Sequence, residues 1–380
     1  LVDNTDGEVM TTLSLLTKEA GRALLAPVTG GRASEWFRPT IAAVYLTKKC
    51  NSQCSFCDFW KQDRDPAELI SEQWGVVFSR LKAFGVEYVG VNASGEMFTR
   101  PDAFRILAHL KDLDMRFAVN TNALTMGARN AKRLAELGPQ QVTVGLDGVG
   151  NDAYLRTRGL KRGFDKVCRN LEHMREAGIN KLSVGSVLME DNMDQWVPLA
   201  EFALSAGLDG VRFTAHHEDY FTGADVPTDP AYARPEFLER VDKEIERLID
   251  LRRKTGIVKN SERYLRRVTE FYRNPQGFFP EPCLQGSNRI ELDVWGNVTL
   301  CSFLQEPLGN VYKQEMEDIW NAPEHRKARE DAFHGNCPRC YLSCYGEENL
   351  RLSTKGFAPA LGNSLKRGYG LLGPKQARTA

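Results

Sequence analysis

The sequence predicts an α/β fold of parallel strands and crossover helices, followed by a small C-terminal α+β domain. Three observations predict it. Between residues 41 and 214, β-branched apolar runs alternate with stretches of helical period, the pattern of successive βαβ units. A three-cysteine loop follows the first of those runs directly, at the strand end where parallel barrels carry their functional groups. From residue 283 the character changes: apolar and polar residues alternate around Gly296-Asn297, the mark of a β-hairpin.

The elements follow in order. Residues 1–38 hold one amphipathic stretch, 8–25, read as a short leader helix. Strands are expected at 41–47, 88–92, 116–120, 141–146, 181–188 and 211–214, each short and rich in Val, Ile, Tyr or Phe. Helices are expected between them at 72–84, 101–113, 128–137, 164–177 and 193–206. Residues 216–280 form a connection: a polar loop at 225–230, a long charged helix at 235–254, and a second helix ending near Arg273 before Asn274-Pro275-Gln276-Gly277. The mixed charges of the long helix read as a solvated face. The hairpin spans 290–300, with helices at 315–320 and up to residue 332. The expected units are therefore a leader (1–38), a barrel-forming region (39–225), a helical connection (226–280), a cysteine-bearing domain (281–350) and a tail (351–380).

Composition narrows the function classes. The 380 residues carry 50 basic and 50 acidic side chains, which argues against nucleic acid as a partner. No apolar run reaches the length of a membrane span, and the start carries no charged-then-apolar signal peptide. Nine cysteines are an odd count, awkward for a secreted disulfide framework. In the reducing cytoplasm, the compartment expected here, clustered cysteines read as metal ligands. Eight of the nine fall in two groups, at 50–57 and 283–344; Cys168 stands alone in a helical pattern as a small core residue.

Cys50, Cys54 and Cys57 are spaced C-x3-C-x2-C. Three thiolates on one loop hold three corners of a cubane [4Fe-4S] cluster and leave the fourth iron open to a small molecule. The alternatives are three buried thiols or part of a zinc site, although zinc ligands usually come as close pairs. A strand followed by this spacing, with the aromatic Phe56 before the last cysteine, resembles the radical S-adenosylmethionine (SAM) superfamily. The resemblance implies a partial (β/α)6 TIM-like barrel, SAM on the open iron, and a one-electron donor such as flavodoxin or ferredoxin. It also implies that SAM is cleaved to a 5′-deoxyadenosyl radical, which takes a hydrogen atom from the substrate.

Other stretches fit the same resemblance. Ser94-Gly95-Glu96-Met97 is similar to the family's Gly-Gly-Glu-Pro segment, which receives the methionine amino group of SAM. Asn122 ends the third strand. Gly145-Leu146-Asp147-Gly148, with Arg158 further on, resembles a segment that often reads Ser-Leu-Asp-Gly. Asp147 and Arg158 are thereby candidates for the SAM or substrate pocket, or else a loop cap and an ion pair. Ser186 lies on the fifth strand, where relatives contact the SAM ribose and adenine. His216-His217-Glu218-Asp219-Tyr220 reads either as a polar substrate-holding group or as a hydrophilic loop.

The second group, Cys283, Cys301, Cys337, Cys340 and Cys344, is similar to the SPASM/twitch extension that carries auxiliary clusters. The full SPASM pattern has seven cysteines for two clusters; five here point to the twitch form with one auxiliary [4Fe-4S] cluster. Cys283, Cys301, Cys337 and Cys340 complete its coordination, and Cys344 is spare or replaces Cys340. A zinc ribbon is the alternative, but Cys283 and Cys301 are too far apart for a close pair. A fully ligated auxiliary cluster suits electron transfer, and Cys344 is the candidate thiol for returning a hydrogen atom.

Two enzymatic readings result. The first is oxidation or epimerisation of a small polar molecule, a sugar- or cyclitol-like natural-product precursor. The second is modification of a ribosomally made peptide; peptide maturases often carry a recognition domain or two auxiliary clusters, and neither is seen here. A third reading, from another class, is a non-catalytic cluster- or zinc-bearing interaction protein.

Overall fold

A computed structural model describes residues 38–92, 94–217 and 232–353. The expected leader helix, the polar loop at 225–230 and most of the tail lie outside them.

Among the described residues six parallel strands come first: β1 (Ile41–Tyr45), β2 (Tyr88–Asn92), β3 (Arg116–Thr121), β4 (Gln141–Gly145), β5 (Leu182–Leu188) and β6 (Gly210–Ala215). They lie side by side in chain order, each parallel to the next, with Val44 opposite Val91 and Thr143 opposite Ser183. The helices between them are α1 (Ser71–Phe84), α2 (Ala103–Asp112), α3 (Ala128–Leu137), α4 (Asn151–Arg158), α5 (Gly163–Glu176) and α6 (Trp196–Ser205). This is the expected α/β partial barrel. Alternation along each strand divides its two faces. Ala42, Val44, Val89, Val91, Phe117, Val119, Val142 and Val144 are buried in one core with Trp74, Phe78, Ile106 and Leu134 of the helices. The other face, carrying Tyr45, Asn92, Asn120 and Thr143, is half-buried and lines the barrel interior.

The connection is α7 (Pro235–Thr255) with the short α8 (Glu262–Arg266) and α9 (Val268–Arg273). In α7, Phe237, Leu238, Val241, Ile245, Leu248 and Ile249 are buried at helical spacing, and the charges occupy the other face. Residues 257–259 cover the outer edge of β6: Val211 N–H donates to Ile257 O at 2.9 Å, and Lys259 N–H donates to Val211 O at 2.9 Å.

The C-terminal hairpin is β7 (Arg289–Leu292) and β8 (Asn297–Thr299), followed by the short β9 (Gly309–Asn310). β7 pairs parallel with β1, Glu291 opposite Ala43, so the hairpin continues the barrel sheet. β8 and β9 add to it antiparallel, in the order β6-β5-β4-β3-β2-β1-β7-β8-β9. Helices α10 (Met316–Asn321), α11 (Pro323–His334) and α12 (Ser343–Leu352) follow. Two helices go beyond the sequence expectation. α4 fills what reads as loop, since its eight residues are too few and too polar to show a period. α12 begins inside the cysteine group, where the thiols hide the helical pattern. It bridges β6 and β7: Ser343 N–H donates to Thr214 Oγ1 of β6 at 2.9 Å, and Tyr345 hydroxyl donates to Glu291 of β7. Among the described residues no helix is long and apolar enough to cross a membrane.

Candidate active site

The loop after β1 carries the first three thiols at the barrel's C-terminal mouth. Cys54 is buried; Cys50 and Cys57 are partly exposed. The end of α4 braces the loop, with Ser55 N–H donating to Thr157 O at 3.0 Å and the Ser52 hydroxyl to Arg158 O at 3.2 Å. Burial pushes the Cys50 thiol up to about 11, with Glu96 and Cys54 adding to the rise. Burial likewise pushes Cys57 up to about 12, with Cys54 and Cys50 adding. Three thiols within electrostatic reach of one another do not ionise unaided. A polynuclear iron core, if bound by these three cysteines, would supply the positive charge that holds them as thiolates.

Beside this loop, Gly95 lies against the backbone of residues 47–49. A Cβ there would stand 2.5 Å from Lys49 O and 2.7 Å from Thr47 O, so the cradle requires glycine. The Ser94 hydroxyl donates to Thr47 O at 3.2 Å, and Glu96 N–H donates to Lys49 O at 2.9 Å. The Glu96 carboxylate is buried and accepts from Asn122 N–H at 2.6 Å, Thr121 hydroxyl at 2.9 Å and Phe98 N–H at 3.2 Å. Desolvation raises its pKa and these three donors oppose the rise. Asn122 Nδ2 donates to Asn51 Oδ1 at 2.7 Å and stands 4.0 Å from Cys50 Sγ.

Asp147 and Arg158 form a buried ion pair, Nη2 to Oδ2 at 2.7 Å. A Cβ on Gly145 would lie 2.7 Å from the Arg158 guanidinium, which explains glycine where relatives often carry serine. Ser186 donates its hydroxyl to Asp147 Oδ1 at 3.1 Å, where Val187 N–H also donates at 2.8 Å. Arg158 also lies over the Phe56 ring, 5.8 Å from its centroid, and lowers the pKa of Cys50 and Cys57. Phe56, Asp147, Arg158 and Ser186 are thus one cluster under the cysteine loop.

The second group divides four to one. Beyond burial, the Cys340 thiol is raised by Cys283, Cys301 and Cys337. N–H groups of Gln285, Leu342, Phe303 and Leu304 lower the pKa of Cys283, Cys340 and Cys301, and Arg339 does so at Cys337. Cys283, Cys337 and Cys340 line a cleft with Phe278, Tyr341 and Asn349. Cys344 looks elsewhere. Burial pushes its thiol up to about 11, and the charges acting on it are Arg289, Glu291, Glu348 and Arg212. Cys344 is nevertheless accessible to solvent.

The expected His216 group separates. His216 Nδ1 is 2.7 Å from the Tyr232 hydroxyl. His217 is buried: its Nε2 accepts from Tyr341 N–H at 2.8 Å and its Nδ1 donates to Ala215 O at 2.9 Å. It is a staple between β6 and the second cysteine group. Residues 218–220 lie outside the described residues.

Comparison with known proteins decides the family. Residues 44–203 match the Radical SAM superfamily, and residues 283–344 match SPASM, an iron–sulfur cluster-binding domain. The chain is a radical SAM enzyme with a C-terminal SPASM domain. It is 23% identical to an AdoMet-dependent heme synthase of Methanosarcina barkeri over 315 residues, 80% of this chain and 88% of the relative. It is 25% identical to the sporulation killing factor maturation protein SkfB of Bacillus subtilis, over 74% of this chain and 65% of that protein. Streptococcus suis SuiB bound to precursor peptide SuiA shares the fold, with a TM-score of 0.60 at 16% identity, covering 77% of this chain and 67% of SuiB.

In the radical SAM enzyme three thiols stand on one loop beside a glycine cradle and a buried carboxylate, and four more thiols with hydrogen-bond donors around them lie in the SPASM region. Sequence reading missed Thr47, Glu68 and Arg100, which hold the loop from outside. Their signal was a buried-charge network, and charge in a loop reads as solvated.

Proposed function

We propose that this radical SAM SPASM enzyme modifies a ribosomally made peptide. The observation that carries this is the likeness to maturation proteins, SkfB over 74% of this chain and SuiB bound to its precursor peptide over 77%. The small sugar- or cyclitol-like precursor expected from the missing recognition domain gives way to it, because that expectation rested on an absence. A small-molecule substrate stays as a second reading on one ground: the heme synthase relative matches 80% of the chain. A non-catalytic protein does not fit membership of an enzyme superfamily.

In this reading Cys50, Cys54 and Cys57 hold the SAM-binding [4Fe-4S] cluster, which when bound supplies the electron that cleaves SAM to a hydrogen-abstracting radical. Glu96 has lone pairs left on Oε2 to receive the methionine ammonium, in a dry site where a charge-assisted hydrogen bond is strong. Ser94 and Gly95 shape the same cradle. Asn122 and Arg158 stand on either side of Cys50 to orient the carboxylate end, and Asp147, Phe56 and Ser186 hold Arg158 in place. Cys283, Cys301, Cys337 and Cys340 hold one auxiliary [4Fe-4S] cluster. The Cys344 thiol is the candidate to return a hydrogen atom to the substrate radical; the thiyl radical left behind would take back an electron by way of the auxiliary cluster, and a proton from solvent. A one-electron donor such as flavodoxin or ferredoxin serves the first cluster.

The test is anaerobic reconstitution with SAM, a reductant and peptides encoded beside the gene. The wild type should form 5′-deoxyadenosine and alter the peptide by loss of hydrogen or by epimerisation at one carbon. Replacing Cys50, Cys54 and Cys57 by alanine should abolish 5′-deoxyadenosine. Cleavage retained by that variant refutes the ligand assignment, and a product carrying a new methyl or sulfur group refutes the reaction class.

A further inference from the structure

Thr47, Lys48 and Lys49 join β1 to the first cysteine, and a buried charge network grips them from outside. Glu68 Oε1 accepts from Lys48 N–H at 2.8 Å and from the Thr47 hydroxyl at 3.0 Å. Glu68 Oε2 accepts from Arg64 Nε at 3.1 Å and lies 3.5 Å from Arg100 Nη1. The Arg100 side chain is wholly buried. Its guanidinium donates to Leu46 O at 2.5 Å, to Leu69 O at 2.8 Å, and to both carboxylate oxygens of Asp102 at 2.9 and 2.8 Å. The Thr47 hydroxyl also accepts from Lys49 N–H at 3.2 Å.

The same three residues carry the cradle on their inner side, through the Thr47 and Lys49 carbonyls that meet Ser94, Gly95 and Glu96. One short segment is therefore held by charge on one face and shapes a binding site with the other. Burying an arginine and a glutamate is costly, and well-packed apolar residues of similar volume often stabilise a fold as well or better. Stability alone does not account for this network; fixed geometry does.

We propose that Arg100 and Glu68, acting through Thr47, are positioning residues that set the spacing between the Cys50 thiol and the Glu96 carboxylate. That spacing fixes how the methionine end of SAM meets the open iron. The proposal rests on the placement of SAM at Glu96 given above. Hydrogen-bond partners one shell out from metal ligands commonly shift affinity by about tenfold or more when removed.

The test uses the full chain, reconstituted anaerobically, as Arg100→Lys, Glu68→Gln, Thr47→Val and Thr47→Ser. The measurements are iron content, the dissociation constant for SAM, and the change in the electron paramagnetic resonance g-values of the first cluster when SAM is added. Arg100→Lys, Glu68→Gln and Thr47→Val should keep wild-type iron, bind SAM about tenfold more weakly, and show a smaller SAM-induced g-shift. Thr47→Ser should restore both toward wild type. Wild-type affinity and g-shift in Glu68→Gln and Thr47→Val overturn the proposal. Thr47→Val removes one hydroxyl, so it keeps the test open if Arg100→Lys does not fold. Glu96→Gln is the control for the underlying reading. If wild type shows no g-shift with SAM, or Glu96→Gln binds SAM as wild type does, the placement of SAM has failed, and not merely the network.

Discussion

At the scale of the residue, the role proposed for Cys344 can be tested directly. The charges acting on its thiol are Arg289, Glu291, Glu348 and Arg212, and burial keeps it protonated at neutral pH. A protonated thiol holds a hydrogen atom it can give; a thiolate does not. Cys344→Ala should therefore lose the product while 5′-deoxyadenosine still forms, as read by mass spectrometry of both. An unaffected product instead assigns oxidation, with the substrate's electron leaving for the auxiliary cluster. The spacing alone left Cys344 either spare or a substitute ligand for Cys340. What the spacing hides is that α12 starts at Ser343, so Cys340 lies before it and Cys344 lies in its first turn.

At the scale of the element, His217 ties β6 to the segment that carries Cys340. Phe271 and Phe303 pack on its ring with centroids 4.8 and 5.2 Å away, and His216 is its neighbouring imidazole. Burial, with His216 adding to it, pushes the His217 pKa down from 6.5 to about 3. Between those values the unfolded chain binds a proton that the folded one does not, so stability falls as pH drops below about 6.5 and is intact above it. Over the full window the loss is on the order of 5 kcal/mol. Thermal unfolding of the holoenzyme should show this slope between pH 7 and 5, and His217→Gln should reduce it, leaving the share of His325, whose pKa burial lowers likewise. A slope unchanged in His217→Gln places the acid sensitivity elsewhere. The strands and helices of the barrel were legible because each has a clear period: β2 spans Tyr88–Asn92 and α3 spans Ala128–Leu137, as the sequence predicts. The pairing of β7 with β1 was not legible, since register between distant strands leaves no trace in either strand.

At the scale of the whole molecule, the two thiol groups flank strands of one continuous sheet, and α12 bridges its β6 and β7. Two cubanes on these seven ligands give about eight irons per chain. Iron and sulfide analysis of anaerobically purified protein should return that value. A value near twelve demands a second auxiliary cluster, and four irons with one zinc converts the second group into a zinc site.

The place of β7 also sets an order of assembly. Thr47, Glu68, Glu96, Asn122 and Arg158, which frame the first thiols, have all been made by residue 158. β1, however, lacks its second neighbour until residues 289–292 emerge, and Thr214 of β6 lacks its Ser343 partner until α12 does. Domains form as synthesis proceeds, from the N-terminal side. The first three thiols are thus framed early, well before α12 can bridge β6 to β7.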